Sequence, residues 1–263
     1  MKVRYLNKYS ISAVLFMTAA AVFVTLALIT RLGEFVTAAF VMSAMVCVMT
    51  GIFMLTFSGS EPVDPRLVGL LPVQGCINLC RIASDLGIHG KAYFLPGRIT
   101  GESRVMQFNP TLPYDGNAVV AKKSFPETGP EGLVLIPSCD PLIQQLIKRN
   151  DLTIPDNEEN LNQLLQETIG EIFEFAPRVS TRWHGNTVTI TFHRYRFIAG
   201  CQHISQEAPG CCFRNPCPAS SLCGVLIAAG TNKVVAYEQC SISDSARDVN
   251  LVFQILPLPD IQP

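Results

Sequence analysis

Charge is what this sequence has least of. Of 263 residues, 16% are Asp, Glu, Lys or Arg and 48% are hydrophobic. A disordered tail is excluded, and a mean hydropathy of +0.29 is too apolar for an ordinary soluble domain. The signatures of three common chemistries are also missing. There is no G-x-S-x-G elbow, no G-x-x-x-x-G-K-[ST] loop and no G-x-G-x-x-G turn. Histidine is scarce: His89, His184, His193 and His203 stand apart, none with a partner at metal-binding spacing. His193 lies in an expected strand and reads as a packed or surface residue rather than a base. No nucleophile–base constellation emerges, so the sequence points away from an enzyme.

What little charge there is divides unevenly. Residues 1–60 hold Lys2, Arg4, Lys8 and Arg31 against Glu34, a net of +3. The remainder holds sixteen basic against twenty acidic side chains, a net of −4. A mildly acidic remainder argues against nucleic acid as a partner. The run Arg194-Tyr195-Arg196 puts two arginines on one strand face, which reads as a solvated face rather than an anion site.

Two long charge-poor runs are present. Ile11 to Thr30 and Phe35 to Phe57 are each long enough for a hydrocarbon core about 30 Å thick at ~1.5 Å per residue. Few residues separate them, so they are expected to form a tight antiparallel hairpin. Ala19, Ala20, Ala21, Ala38, Ala39 and Ser43 would let the backbones approach. Neither run holds an ionisable group inside it, which favours a plain anchor over a channel. A cleaved signal peptide is not expected: the apolar run is too long, no A-x-A site follows, and a second span comes next. Lys2, Arg4 and Lys8 put both termini in the cytoplasm by the positive-inside rule. The expectation is a multi-pass cell-membrane protein with two spans in the lipid bilayer.

Cysteine, by contrast, is plentiful: ten residues, nine of them after the second run. In a cytoplasmic domain disulfides are not expected, leaving buried thiols or ligands. Cys76 and Cys80 would share a helix face. Cys212, Cys217 and Cys223 give C-x4-C-x5-C, with Cys211 adjacent; this matches neither a zinc ribbon nor a ferredoxin pattern. Glu238 and Cys240, at i and i+2 in an expected strand, point to one face. The candidate metal ligands are therefore Cys201, Cys211, Cys212, Cys217, Cys223, Cys240 and Glu238, for zinc or an iron–sulfur cluster. Singly buried structural thiols are the alternative.

The remaining pattern is mixed. Asp64-Pro65 reads as an N-cap and first-turn proline opening a helix, with a break at Pro72 and an end at Gly87. KAYFLP, RVMQFNP and GLVLIP read as short strands, with a polar loop at 114–130 before the last. Helices are expected from Asp140-Pro141 and from about Asn157. RVSTRWHGNTVTITFHRYRF has the period-two pattern of a hairpin turning at His184-Gly185-Asn186. A Cys-rich loop, the helix PASSLCGVLIAAG and a closing hairpin follow. The fold class is α+β: residues 1–60 as a transmembrane hairpin, then residues 61–263 as one mixed domain with antiparallel hairpins.

Two resemblances bear on function. The helical hairpin, GLVLIPSCDPL, the helix ending IFEFA, and NPCPASSLCGVLIAAG with its following strand resemble a family of uncharacterised archaeal membrane proteins, a domain of unknown function. That resemblance implies two membrane helices, a cytoplasmic α+β domain and an archaeal source. Residues 188–256 resemble the vinyl-reductase-type small-molecule-binding domain (V4R-like). There a Cys near a helix start, an E-x-x-C and a Cys in the last strand form the site. Cys217 or Cys223 matches the first; Glu238-Gln239-Cys240 is one residue shorter, and VNLVFQIL has no Cys. The leading expectation is a membrane-held module that binds or senses a small molecule. The alternatives are a cysteine-rich metal or cluster redox protein, and a scaffold binding a protein partner through the 114–130 loop.

Overall fold

The computed structural model describes residues 8–29, 33–58, 64–114, 116, 131–150, 152–243 and 247–257. Lys2, Arg4, Arg31 and most of the 114–130 loop lie outside the described residues. The chain forms two compact units, Met1–Val63 and Asp64–Pro263.

The first unit is a pair of helices, α1 (Lys8–Ile29) and α2 (Glu34–Ser58). The buried positions are small: Ala13, Ala20, Ala44 and Gly51. A Cβ on Gly51 would sit 3.2 Å from the Met17 sulfur. Phe23 stacks on Phe40 at 6.3 Å. Of the alanines singled out from sequence, Ala20 lies in this seam, whereas Ala21, Ala38 and Ala39 face outward. Outward positions are otherwise large and apolar, as at Leu15, Leu28 and Phe53. The hydroxyls of Thr18, Thr25, Ser43 and Thr50 bond back to carbonyls one turn earlier. This removes the cost of exposing them to hydrocarbon. Both helices are long and apolar enough to cross a membrane.

The second unit opens with α3 (Pro65–Leu70) and α4 (Val73–Asp85). Arg66 N–H donates to the Asp64 side chain at 2.9 Å, the expected cap. The run Pro65–Asp85 is a third stretch long and apolar enough to span. Yet α4 is amphipathic: Val73, Ile77, Cys80 and Ala83 are buried in this unit, with Gln74, Asn78, Arg81 and Asp85 on other faces.

There follow β1 (Tyr93–Leu95), α5 (Gly97–Thr100), β2 (Met106–Pro110), β3 (Gly132–Leu135), α6 (Asp140–Asn150) and α7 (Glu158–Gln166), which continues as a π-helical turn, Glu167–Ile172. Then come β4 (Arg178–His184), β5 (Thr187–His193), α8 (Ile198–Glu207), α9 (Cys211–Arg214), α10 (Pro218–Thr231), β6 (Val235–Ser243) and β7 (Asp248–Ile255). The seven strands form one antiparallel sheet in the order β3-β2-β1-β6-β7-β5-β4. This is the α+β class expected.

Alternation sets the two faces. Val188, Ile190 and Phe192 of β5, with Val249, Leu251 and Phe253 of β7, point into the main core. Thr187, Thr191 and His193, with Asp248, Asn250 and Gln254, line the opposite, half-exposed face. Helix α10 lies in the main core and is apolar nearly all round, as a fully buried helix must be. Gly224 permits its approach: a Cβ there would lie 2.1 Å from the Phe94 ring. Likewise Gly200 of α8 crosses α3 so closely that a Cβ would meet the Gly69 carbonyl at 2.1 Å.

Two sequence expectations need correction. The hairpin does not run through Arg194-Tyr195-Arg196. Strand β5 ends at His193 because Arg194 adopts φ +55°, with its N–H held by Asp248 at 3.0 Å. Tyr195 then turns into the core, and Arg196 pairs with Glu174 at 2.8 Å, so the arginines share no strand face. The supposed Cys-rich loop is largely helical, forming α8 and α9.

Candidate functional site: a thiol-lined cavity

The local rules that place the cysteines are simple. Cys217 precedes Pro218, which starts α10 because proline needs no N–H partner at a first turn. Cys217 is thereby the N-cap residue, in extended backbone at the start of the helix, and its side chain makes no capping hydrogen bond. Cys201 projects from the first turn of α8, and Cys76 from α4. All three line one cavity of about 200 Å³, with Tyr195, Phe197 and Ile204 among its walls. The wall is almost wholly apolar apart from the thiols.

Cys217 gathers donors. The Ser220 hydroxyl lies 3.3 Å from its sulfur, the Cys201 thiol is in contact with it, and the N–H groups of Ser220 and Ala219 at the helix start favour its thiolate electrostatically. Led by the Cys201 contact, they bring Cys217 down to about 6 despite burial. Cys201 moves the other way, because its proton is held by Cys217 and because it is buried. The Tyr195 hydroxyl, itself buried, also bonds to Cys217.

A second pair sits nearby. Cys212 of α9 and Cys240 of β6 are hydrogen-bonded and line a cavity of about 410 Å³ with Glu238 and Gln202. Contact with the Cys212 thiol lowers Cys240, and the Tyr237 hydroxyl adds to this. Cys212 is raised for the converse reason. Two further thiols are inert. Burial lifts Cys223, inside α10, and pushes Cys139 up to about 12. Cys139 backs a further cavity, about 500 Å³, where Arg104 and Asp140 pair at 3.3 Å.

The expectation of free thiols throughout fails at one place. Cys80 and Cys211 form a disulfide, with Cα atoms 5.9 Å apart, tying α4 to α9. It removes Cys211 from the candidate ligands. Cys76, one turn before Cys80, is partly buried and packs against the same small cluster that holds Cys80 and Cys211, although it lines a different cavity. Glu238 and Cys240 do line one cavity, although a bulge between Tyr237 and Gln239 interrupts β6 between its ladder partners. Glu238 pairs with Lys91. Among the described residues, no group of three or more His, Cys, Asp or Glu side chains is arranged to hold a metal ion.

Sequence reasoning missed one constellation. Ser180 Oγ lies 2.8 Å from His193 Nε2, and His193 Nδ1 lies 2.9 Å from Asp248. Asp248 is held below the usual carboxylate range, first by the Arg194 N–H and also by His193. The contacts follow the serine–histidine–aspartate order of nucleophilic hydrolases. They sit on the polar face at the β4 edge of the sheet, and Ser180, His193 and Asp248 line none of the five cavities described for this unit. Only the β4–β5–β7 register brings them together, so no spacing in the sequence announces them.

No curated protein and no solved structure is significantly similar to this chain. One family model matches residues 8–254, nearly the whole length and both units. The chain therefore belongs to a domain-of-unknown-function family, DUF7982.

Proposed function

We propose that this chain is a membrane-tethered binding module whose second unit takes a small apolar molecule in the cavity at Cys217. The observation that carries the reading is the lining: apolar walls around a single cluster of polar donors. Such a combination orients a ligand by one end and desolvates the rest. Size limits the ligand. An apolar cavity of about 150 Å³ holds benzene, so about 200 Å³ suits a substituted benzene or a short branched chain.

The anchor is α1 and α2, two spans with both termini on the cytoplasmic side, as Lys2, Arg4 and Lys8 favour. The amphipathic α4, with its disulfide, supports counting Pro65–Asp85 with the second unit rather than as a third span. The disulfide itself weighs against a reducing compartment. An archaeal source would reconcile the two, because intracellular proteins of hyperthermophilic archaea do carry disulfides. Zinc or an iron–sulfur cluster on four of the unbridged thiols, Cys201, Cys212, Cys217 and Cys240, is the second reading; it requires these side chains to rearrange from the positions described, and metal content after anaerobic purification decides it.

The test uses the full chain in nanodiscs and 2-phenylpropan-2-ol as probe, followed by saturation-transfer NMR. Wild type binds it. Ala219→Leu, which fills the cavity, weakens binding at least ~10-fold. Equal binding by the two proteins would place the ligand elsewhere.

A further inference from the structure

The geometry points to a dithiol redox switch at the cavity: Cys217 attacks a hydroperoxide and Cys201 resolves the product to a disulfide. The inference rests on the proposed pocket for entry of the reactant. Four features carry it. Cys217 is partly exposed and lines the cavity, whereas Cys201 beside it is buried at 8% exposure. The two thiols are neighbours at one cavity and interact directly. The Ser220 hydroxyl lies 3.3 Å from the Cys217 sulfur, and Tyr195 lines the same cavity. And the remaining wall is apolar, which favours a reactant with a hydrocarbon body and one polar end.

These features assign the roles. The more accessible of the two, Cys217, is the attacking residue; Cys201, buried and already in contact with it, is the resolving one. In the first step a bond forms between the Cys217 sulfur and the terminal peroxide oxygen, and the O–O bond breaks. Sulfur is oxidised by two electrons to the sulfenic acid, and the peroxide is reduced to the alcohol. The thiol proton ends on the departing oxygen, with the Tyr195 and Ser220 hydroxyls placed to stabilise the charge that develops there. In the second step the Cys201 thiol attacks that sulfur; an S–S bond forms, the S–O bond breaks, and water leaves. An external dithiol returns both sulfurs to the reduced state by exchange.

The experiment takes the full chain in nanodiscs, reduced and freed of reductant, and adds cumene hydroperoxide or hydrogen peroxide. Linkages are mapped by tandem mass spectrometry. The expected result is one Cys201–Cys217 linkage per chain, at about tenfold lower concentration of cumene hydroperoxide than of hydrogen peroxide. Cys201→Ser is expected to leave a sulfenic acid on Cys217, trapped by dimedone, and Cys217→Ser to leave no linkage to Cys201. Peroxidised phospholipid in the nanodisc, used in place of cumene hydroperoxide, tells a membrane source from a free one. Wild type that binds 2-phenylpropan-2-ol yet forms no Cys201–Cys217 linkage would overturn the switch and spare the pocket. A linkage forming equally well with both oxidants and in Ala219→Leu would keep the switch and overturn the pocket.

Discussion

The thiol cavity and the serine–histidine–aspartate chain lie in one unit and look alike on paper. Each presents a nucleophile hydrogen-bonded to a neighbour that a third group helps to place. They differ in their surroundings. Cys217 lies among apolar walls with a void in front of it, where hydrogen bonds and partial charges act in a low dielectric. Ser180 lies on a half-exposed strand face, where water competes for the same bonds. The void decides chemistry more than the residue names do. A reactant can meet Cys217 with its hydrocarbon part buried, whereas the sheet face offers Ser180 no comparable recess among the cavities described.

That contrast can be broken from its foundations upward. Gly224→Leu drives a side chain into the Phe94 ring in the main core and is expected to cost about 3 kcal/mol, seen as loss of cooperative unfolding. Cys80→Ser opens a bridge between residues 131 apart and is expected to cost ~2–4 kcal/mol in chemical denaturation. An unchanged midpoint would mean that the α4–α9 packing holds without the bond.

Smaller effects sharpen the comparison itself. Cys217 is held low, to about 6, so its thiolate is favoured in the folded state. Its iodoacetamide reaction should rise to a plateau just above pH 6, while ordinary thiols keep rising toward pH 9. Removing the leading donor by Cys201→Ala should move that midpoint upward; no movement would deny Cys201 its role. Asp248 is also depressed, so the stability it contributes is present above the ordinary carboxylate range and disappears as pH falls through and below it. Asp248→Asn should therefore flatten the acid limb of the stability curve. Ser180→Ala is the mildest change, about 1 kcal/mol or less. Labelling of Ser180 by a fluorophosphonate would turn the sheet-face chain into an active site and reverse the comparison.

Much of the fold was legible beforehand. The two apolar runs, the Asp64 cap, the hairpin turning at Gly185-Asn186 and the proline-started α10 rest on local rules, and each appears where expected. The failures share a cause. Arg194-Tyr195-Arg196 has strand alternation, but tertiary bonds from Asp248 and the pull of Tyr195 into the core end the strand one residue earlier. Residues 198–214 contain two glycines, a proline and polar residues, so they read as loop. Burial of Ile198, Cys201 and Ile204 along one stripe makes them helix. At the site, Cys217 was among the named candidates because cysteine is conspicuous. Its partner was not identified, because Cys201 lies on another helix. The same is true of Ser180, His193 and Asp248, which three strands bring together.

What the sequence determined by itself was local or compositional. Two runs suit hydrocarbon, an α+β pattern follows, and a proline places one cysteine at a helix start. Backbone propensity and apolar periodicity act over a few residues, so they can be read along the chain. What only the tertiary structure decided was which side chains meet. Cys80 found Cys211 across a sequence separation of 131, Cys217 found Cys201, and Asp248 found His193. Those meetings depend on strand order and on glycine-limited helix crossings, and the chemistry of a site lives in contacts between segments that carry no mark of one another.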